Sequence, residues 1–172
     1  DGTCNQVVVC VSEFTPPAKI TKDLVKTLMD WAEENGCTKI ISAEGFNSGP
    51  KADGEANDVY GVSSTLGSRK WIDDAKVKPF IYGTVGGITG ALLNEGKVRK
   101  VNVLGLLAEV SEDTPDARAA ANVIKAIDEL LLAINLDPEP LLKEAENLEQ
   151  EVKAVRDQAP PEISAAVPRY IG

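Results

Sequence analysis

Three short runs of mostly aliphatic residues constrain the fold most: Gln6–Ser12 (QVVVCVS), Lys39–Ala43 (KIISA) and Lys100–Leu107 (KVNVLGLL). Each is near-continuous instead of alternating with polar residues, as expected of strands buried on both faces. Such strands need covering layers on both sides. The chain supplies one between the first two runs. Pro16 and Pro17 break the first run, and Thr21 is positioned to cap a helix with Leu24, Leu28, Trp31 and Ala32 on one face. Asn35 and Gly36 are expected to end it. Strand, helix and strand with tight connections make a βαβ unit, and hence a parallel sheet. The fold class that follows is α/β, a mostly parallel central sheet flanked by helices.

The remaining pattern extends this plan. Residues 45–57 (GFNSGPKADGEAN) are turn-formers and read as a mobile surface loop. Val59–Val62 suggests a short strand and Ser68–Lys76 a short amphipathic helix. Pro79–Tyr82 leads into the glycine-rich segment Gly83–Gly90, continued by Ala91, Leu92 and Leu93 as a helix expected to stop near Gly96. Thr114 at the cap, Pro115 at the first helical position and Asp116 in the first turn open a long helix. Its apolar stripe is Val123, Ile127, Leu130, Leu131 and Ile134. Asp137 and Pro138 start another, in which Leu141, Ala145, Leu148, Val152 and Val155 form a heptad seam. That seam is too short for a free coiled coil, so it packs on its own domain or on a partner subunit. After Asp157 the chain becomes the proline-interrupted tail QAPPEISAAVPRYIG. Three parts result: an α/β core over 1–136, a C-terminal helix over 137–157 and an extended tail over 158–172.

Composition narrows what such a chain does. With 43% hydrophobic residues, 172 residues can bury a sizeable core. The net charge of −9 disfavours nucleic acid and anionic membrane surfaces, both of which call for clustered Lys and Arg. No apolar run approaches the ~20 residues of a membrane span. Cys4, Cys10 and Cys37 are odd in number and lack CxxC spacing, so neither a disulfide framework nor a zinc site is expected. Cys10, inside its apolar run, reads as a buried reduced thiol, and reduced cysteines point to a soluble cytoplasmic protein. The chain contains no histidine, which removes Ser-His-Asp and Cys-His mechanisms and the commonest general base. An enzyme is not expected, nor a cofactor. The opening residue is Asp1 instead of Met, consistent with processing or a start partway into a longer protein.

Three features remain as candidate sites. Gly83, Gly86, Gly87 and Gly90 stand at a strand-to-helix junction, where free amides can hold an anion. The spacing GxxGGxxG is neither the dinucleotide nor the P-loop pattern, and glycines equally serve tight turns and close packing. Glu13, Glu44 and Glu109 fall after strands, at the edge where α/β proteins place ligands, and Glu112, Asp113 and Asp116 follow. The acids before the long helix equally serve its N-terminus. Finally, Tyr170, Ile171 and Gly172 end a solvated segment with apolar anchors and a carboxylate, a form suited to capture in a partner's groove.

Gly86-Gly87-Ile88-Thr89-Gly90-Ala91-Leu92-Leu93, Val103–Glu109 (VLGLLAE) and Pro115–Ala120 (PDARAA) resemble the proteasome-assembly-chaperone family. Val9–Glu13 and Ile41–Gly45 also match its pattern, so the resemblance spans about residues 6–157. It implies a fold similar to nucleoside phosphorylases and hydrolases, without an established catalytic role. It also implies homo-oligomers and binding to proteasome core-particle α-subunits, through a C-terminal hydrophobic-Tyr-any motif. Here Tyr170 fills the hydrophobic place and Ile171 stands where the motif has Tyr. Family members usually carry a further strand and glycine-containing turn before the position of Gln6, implying an N-terminally shortened chain. The competing reading is a small-molecule or nucleotide-binding protein, or a phosphorylase-like enzyme, using the strand-edge glutamates and the glycine-rich turn.

Overall fold

The strand that organises the molecule is the one whose sequence buries on both sides. In the computed structural model, which describes residues 6–12, 14–47, 58–110, 116–132, 137–140 and scattered positions to 154, this strand is Val103–Val110. Its first six residues are all buried. Numbered in chain order, the elements are α1 (Ala18–Glu34), β1 (Ile40–Asn47), β2 (Val59–Ser63), α2 (Leu66–Asp74), β3 (Lys78–Pro79), α3 (Gly87–Arg99), β4 (Val103–Val110) and α4 (Ala117–Ile127). A π-helical turn, Asp128–Leu132, continues α4. The sheet order is β1-β4-β2-β3. β1 runs parallel to β4 from Ile40↔Val103 to Asn47↔Val110, β2 runs antiparallel to it, and β3 is parallel to β2.

Alternation along the strands divides the core into two layers. On one face Val103 meets Val25 and Met29 of α1 and Leu92 and Leu93 of α3. On the other, Leu104, Leu106 and Ala108 meet Ile72 of α2 and Ala119, Val123 and Ala126 of α4. Arg99 ties the first layer together, binding Glu95 on α3 and Asp30 and Glu33 on α1. Those carboxylates, Glu95 foremost, raise the pKa of its guanidinium.

Several local expectations are met. Asn35 and Gly36 end α1 in a Schellman turn, with the Cys37 amide donating to the Ala32 carbonyl at 2.8 Å and Gly36 at φ +67°. The helix expected over Ser68–Lys76 forms as α2, Leu66–Asp74, and a Thr65–Ser68 capping box starts it two residues earlier. The Asp137 carboxylate accepts from the Glu139 amide at 3.0 Å, and the Leu142 amide donates to the Pro138 carbonyl, as a helix start at Asp137–Pro138 requires.

Other expectations are corrected. Gln6–Ser12 is not a strand: it is unpaired and exposed, Val11 to 84%, and Cys10 is exposed with it. β propensity expresses itself only against neighbours, and among the described residues this run has neither a paired edge nor a covering layer. The βαβ unit around α1 is therefore not formed. α1 starts at Ala18 with Pro17 in the cap position, so Thr21 lies inside the helix. Its buried face is Val25, Met29 and Ala32, about one residue round from Leu24, Leu28 and Trp31. α3 runs through Gly96 to Arg99, ending at Lys100 with φ +61°. Gly96 serves close approach: a Cβ there would stand 2.6 Å from Val103 Cγ2. Asp116 is itself the cap of α4, its carboxylate accepting from the Ala119 amide at 3.0 Å. Thr114 and Pro115, and the heptad seam from Leu141 to Val155, lie outside the described residues.

Candidate functional site

Because β1 and β4 are parallel, their carboxyl ends share one edge of the sheet. α3 leads into β4, so its N-terminus lies at that edge, and α4 leaves from it. Four features converge there: the glycine-rich turn, Glu44, Glu109 and a group of aromatic rings.

Three of the four glycines are explained by positive φ or by a close neighbour. Gly83 has φ +130°, and its missing Cβ would lie 2.6 Å from Phe80 Cζ. Gly87, the first residue of α3, has φ +57°, in the left-handed region that favours glycine. A Cβ on Gly90 would sit 2.1 Å from the Val85 carbonyl oxygen, so the turn closes only over a glycine. Around Gly86 there is open space. Behind the turn, the Ser42 and Thr89 hydroxyls share a hydrogen bond of 2.7 Å, which seats α3 on β1.

Glu44 Oε1 comes within 3.4 Å of where a Gly87 Cβ would be. A carboxylate beside a helix N-terminus complements the macrodipole, and it repels any second anion from the same place. Glu109 is engaged as well, accepting from the Asp58 amide at 3.3 Å and from the Tyr60 hydroxyl at 3.4 Å. Desolvation first, then the charges of Glu109 and Asp58, pushes the Tyr60 pKa up. Lys78 is paired with Asp58, and that hydrogen bond raises its own pKa. Among the described residues no three Asp, Glu or Cys side chains converge to hold a metal ion. Asp116 is spent on capping α4, whereas Glu13, Glu112 and Asp113 lie outside the described residues, as do Tyr170, Ile171 and Gly172.

The sequence pattern gave no warning of the aromatic group. Phe46 on β1, Tyr60 on β2 and Phe80 after β3 pack edge to face, with centroids 5.8, 6.2 and 6.4 Å apart. By alternation Phe46 and Tyr60 stand on the face that carries Ser42, Glu44 and Val62, just beyond the end of α3. Ile81 and Tyr82 follow Phe80 and are exposed, Tyr82 to 89%. The one usable signal was scarcity: three of the chain's eight aromatic residues meet here. A shallow groove on the opposite side of β2, lined by Asp58, Lys76, Lys78, Lys125 and Glu129, is less suited to a ligand. Its Lys76 and Lys78 are taken up by Glu129 and Asp58.

These features define an α/β protein with a polar and aromatic site at the carboxyl edge of a mostly parallel sheet. The chain belongs to the PAC2 family, whose pattern matches residues 2–156. It is 30% identical to Pyrococcus furiosus PbaA, described as an archaeal homolog of proteasome-assembly chaperone, with a TM-score of 0.76 over 86% of this chain and 60% of that one. P. furiosus PbaB, described as an archaeal proteasome activator, shares the fold at 23% identity and a TM-score of 0.69, over 81% of this chain and 60% of that one. The uncharacterized protein MJ0106 of Methanocaldococcus jannaschii is 31% identical over 72% of this chain and 55% of its own length. The chain thus spans less than two thirds of the relatives it matches.

Proposed function

We propose that this chain works as a proteasome assembly chaperone or adaptor, binding core-particle α-subunits partly through its tail Tyr170-Ile171-Gly172. The observation that carries the reading is the combination of PAC2 membership with 30% identity to PbaA across most of the chain. In this reading the protein is cytoplasmic, forms a homo-oligomer and performs no catalysis. Among the described residues no helix is long and apolar enough to cross a membrane. The division of labour follows the three parts, with 1–136 as scaffold, 137–157 as the packing helix and 158–172 as the tether. Gly83, Gly87 and Gly90 then serve the turn into α3, and Gly86 faces open space. The ligand-binding alternative rests on their place at the carboxyl edge, but Glu44 occupies the side of that turn where a phosphate would be held. The test is co-purification with recombinant α-subunits, using the intact chain and one ending at Arg169. Capture that depends on the last three residues supports the reading, and no capture by either chain overturns it.

A further inference from the structure

Two strand-forming elements of this chain stand open. The first is the run Gln6–Ser12, uncharged and exposed throughout, Val9 to 75%. In an extended conformation Val7, Val9 and Val11 fall on one face, and Val8 and Cys10 on the other. A run apolar on both faces suits a strand enclosed between layers. The second element is the outer edge of β1. This strand ends the sheet order, pairing only with β4 among the described residues. Ala43, Glu44 and Gly45 in its middle are exposed, and at Gly45 that means main chain, since there is no side chain to show. Proteins blunt the edges they leave free with lysine, proline or a bulge. Ile40–Asn47 contains neither lysine nor proline, and its ladder with β4 runs unbroken from Ile40↔Val103 to Asn47↔Val110. The edge is fit to receive a strand.

α1 adds apolar surface that its own chain leaves uncovered. Ile20 and Trp31 are exposed and Leu24 and Leu28 half-buried. Helical periodicity puts this stripe round the helix from Asp30 and Glu33, which hold Arg99 of α3. The segment between the run and α1 decides whose edge is filled. Pro17 has φ −57° and ψ 141°, a polyproline backbone, and Pro16 precedes it. Such a hinge is stiff and extended, which carries the run away from its own body and favours exchange of the element between copies.

We propose that Gln6–Ser12 of one copy adds as a strand to the outer edge of β1 in a second copy, and reciprocally, closing a two-fold dimer. The apolar side chains of the run then lie against the Ile20–Trp31 flank of α1 in the receiving copy. This rests on the homo-oligomer of the proposed function and names its interface.

The experiment is sedimentation equilibrium of the full chain from roughly 5 μM to 1 mM, with hydrogen exchange at both ends of that range. A monomer–dimer equilibrium is expected, in which the Val7–Val11 amides exchange freely in the dilute monomer and are protected in the dimer. Val9→Pro removes a ladder donor at a residue exposed in the monomer. It should leave the melting temperature of the dilute chain unchanged and weaken the dimer by about tenfold or more. A chain that stays monomeric at the upper concentration overturns both the exchange and the homo-oligomer. A dimer undiminished in Val9→Pro overturns the exchange alone, because the interface then lies elsewhere. Protection of Val7–Val11 in the dilute monomer also overturns it, assigning the run to the edge of its own chain.

Discussion

At Gly90 the turn before α3 has no room for a side chain, because the Val85 carbonyl oxygen lies 2.1 Å from the Cβ position. Gly86, four residues earlier, faces open space. Gly90→Ala should therefore cost about 1–3 kcal/mol of stability, as overpacking does, and Gly86→Ala within about 0.5 kcal/mol. Urea denaturation of the pair decides it. Equal midpoints would show that the glycine spacing is not dictated by packing. Tyr60 gives a second prediction. Burial and the nearby carboxylates raise its pKa from 10.0, so the folded phenol holds its proton more tightly than the unfolded one. The resulting stability is fully present below pH 10, and it is lost as pH rises through the folded value. Ultraviolet titration of Tyr60→Phe against the parent should remove the latest-ionising component that belongs to the folded state. Glu109→Gln should shift that component toward lower pH. No change in Glu109→Gln would mean that the carboxylate does not act on the phenol.

At the scale of single elements, α1 shows how far periodicity can be trusted. Both Leu24–Leu28–Trp31–Ala32 and Val25–Met29–Ala32 are helical stripes in the same segment, about one residue apart. The sequence makes the helix evident without saying which stripe faces inward, since that depends on where α3 lies. Met29 is 0% exposed and Trp31 is 41% exposed. Met29→Ala should accordingly destabilise by about 2–5 kcal/mol, and Trp31→Ala by much less despite the larger side chain. Chemical denaturation with far-ultraviolet circular dichroism measures both. The reverse order would restore the stripe expected from sequence. Lys100–Leu107 was legible for the opposite reason: a strand with helices on both faces needs no choice of face, and β4 is buried as its continuous apolar run implies. Gln6–Ser12 carries the same signature and stays exposed, because a strand is made by its neighbours as much as by its own residues. The carboxyl-edge glutamates and the glycine turn were visible as residues. That Glu44 reaches Gly87, and that Phe46, Tyr60 and Phe80 meet, follows from register between distant segments, which no local pattern encodes.

For the whole molecule, the PAC2 scaffold accounts for shape and the tail carries the proposed partner contact. Pro160, Pro161 and Pro168 punctuate a segment otherwise poor in large apolar residues until Tyr170 and Ile171. Prolines stiffen and extend such a segment, which favours a terminal anchor presented away from the body. If Tyr170 and Ile171 bury their apolar surface only in an α-subunit pocket, each contributes about 1.5–3 kcal/mol to binding. Deleting Tyr170, Ile171 and Gly172 removes both anchors and relocates the terminal carboxylate. Affinity for α-subunits should then fall at least tenfold, since about 1.4 kcal/mol already suffices for that. Tyr170→Ala alone should produce part of the loss. Thermal unfolding should be unchanged in both variants if the tail buries its anchors only in the partner. Surface plasmon resonance on immobilised α-subunits, paired with calorimetric melting, separates the outcomes. Binding that survives truncation would remove the tail from the interface and leave the α/β body as the docking surface. A markedly lower melting temperature would show instead that the tail packs on its own domain, and that any loss of binding is indirect.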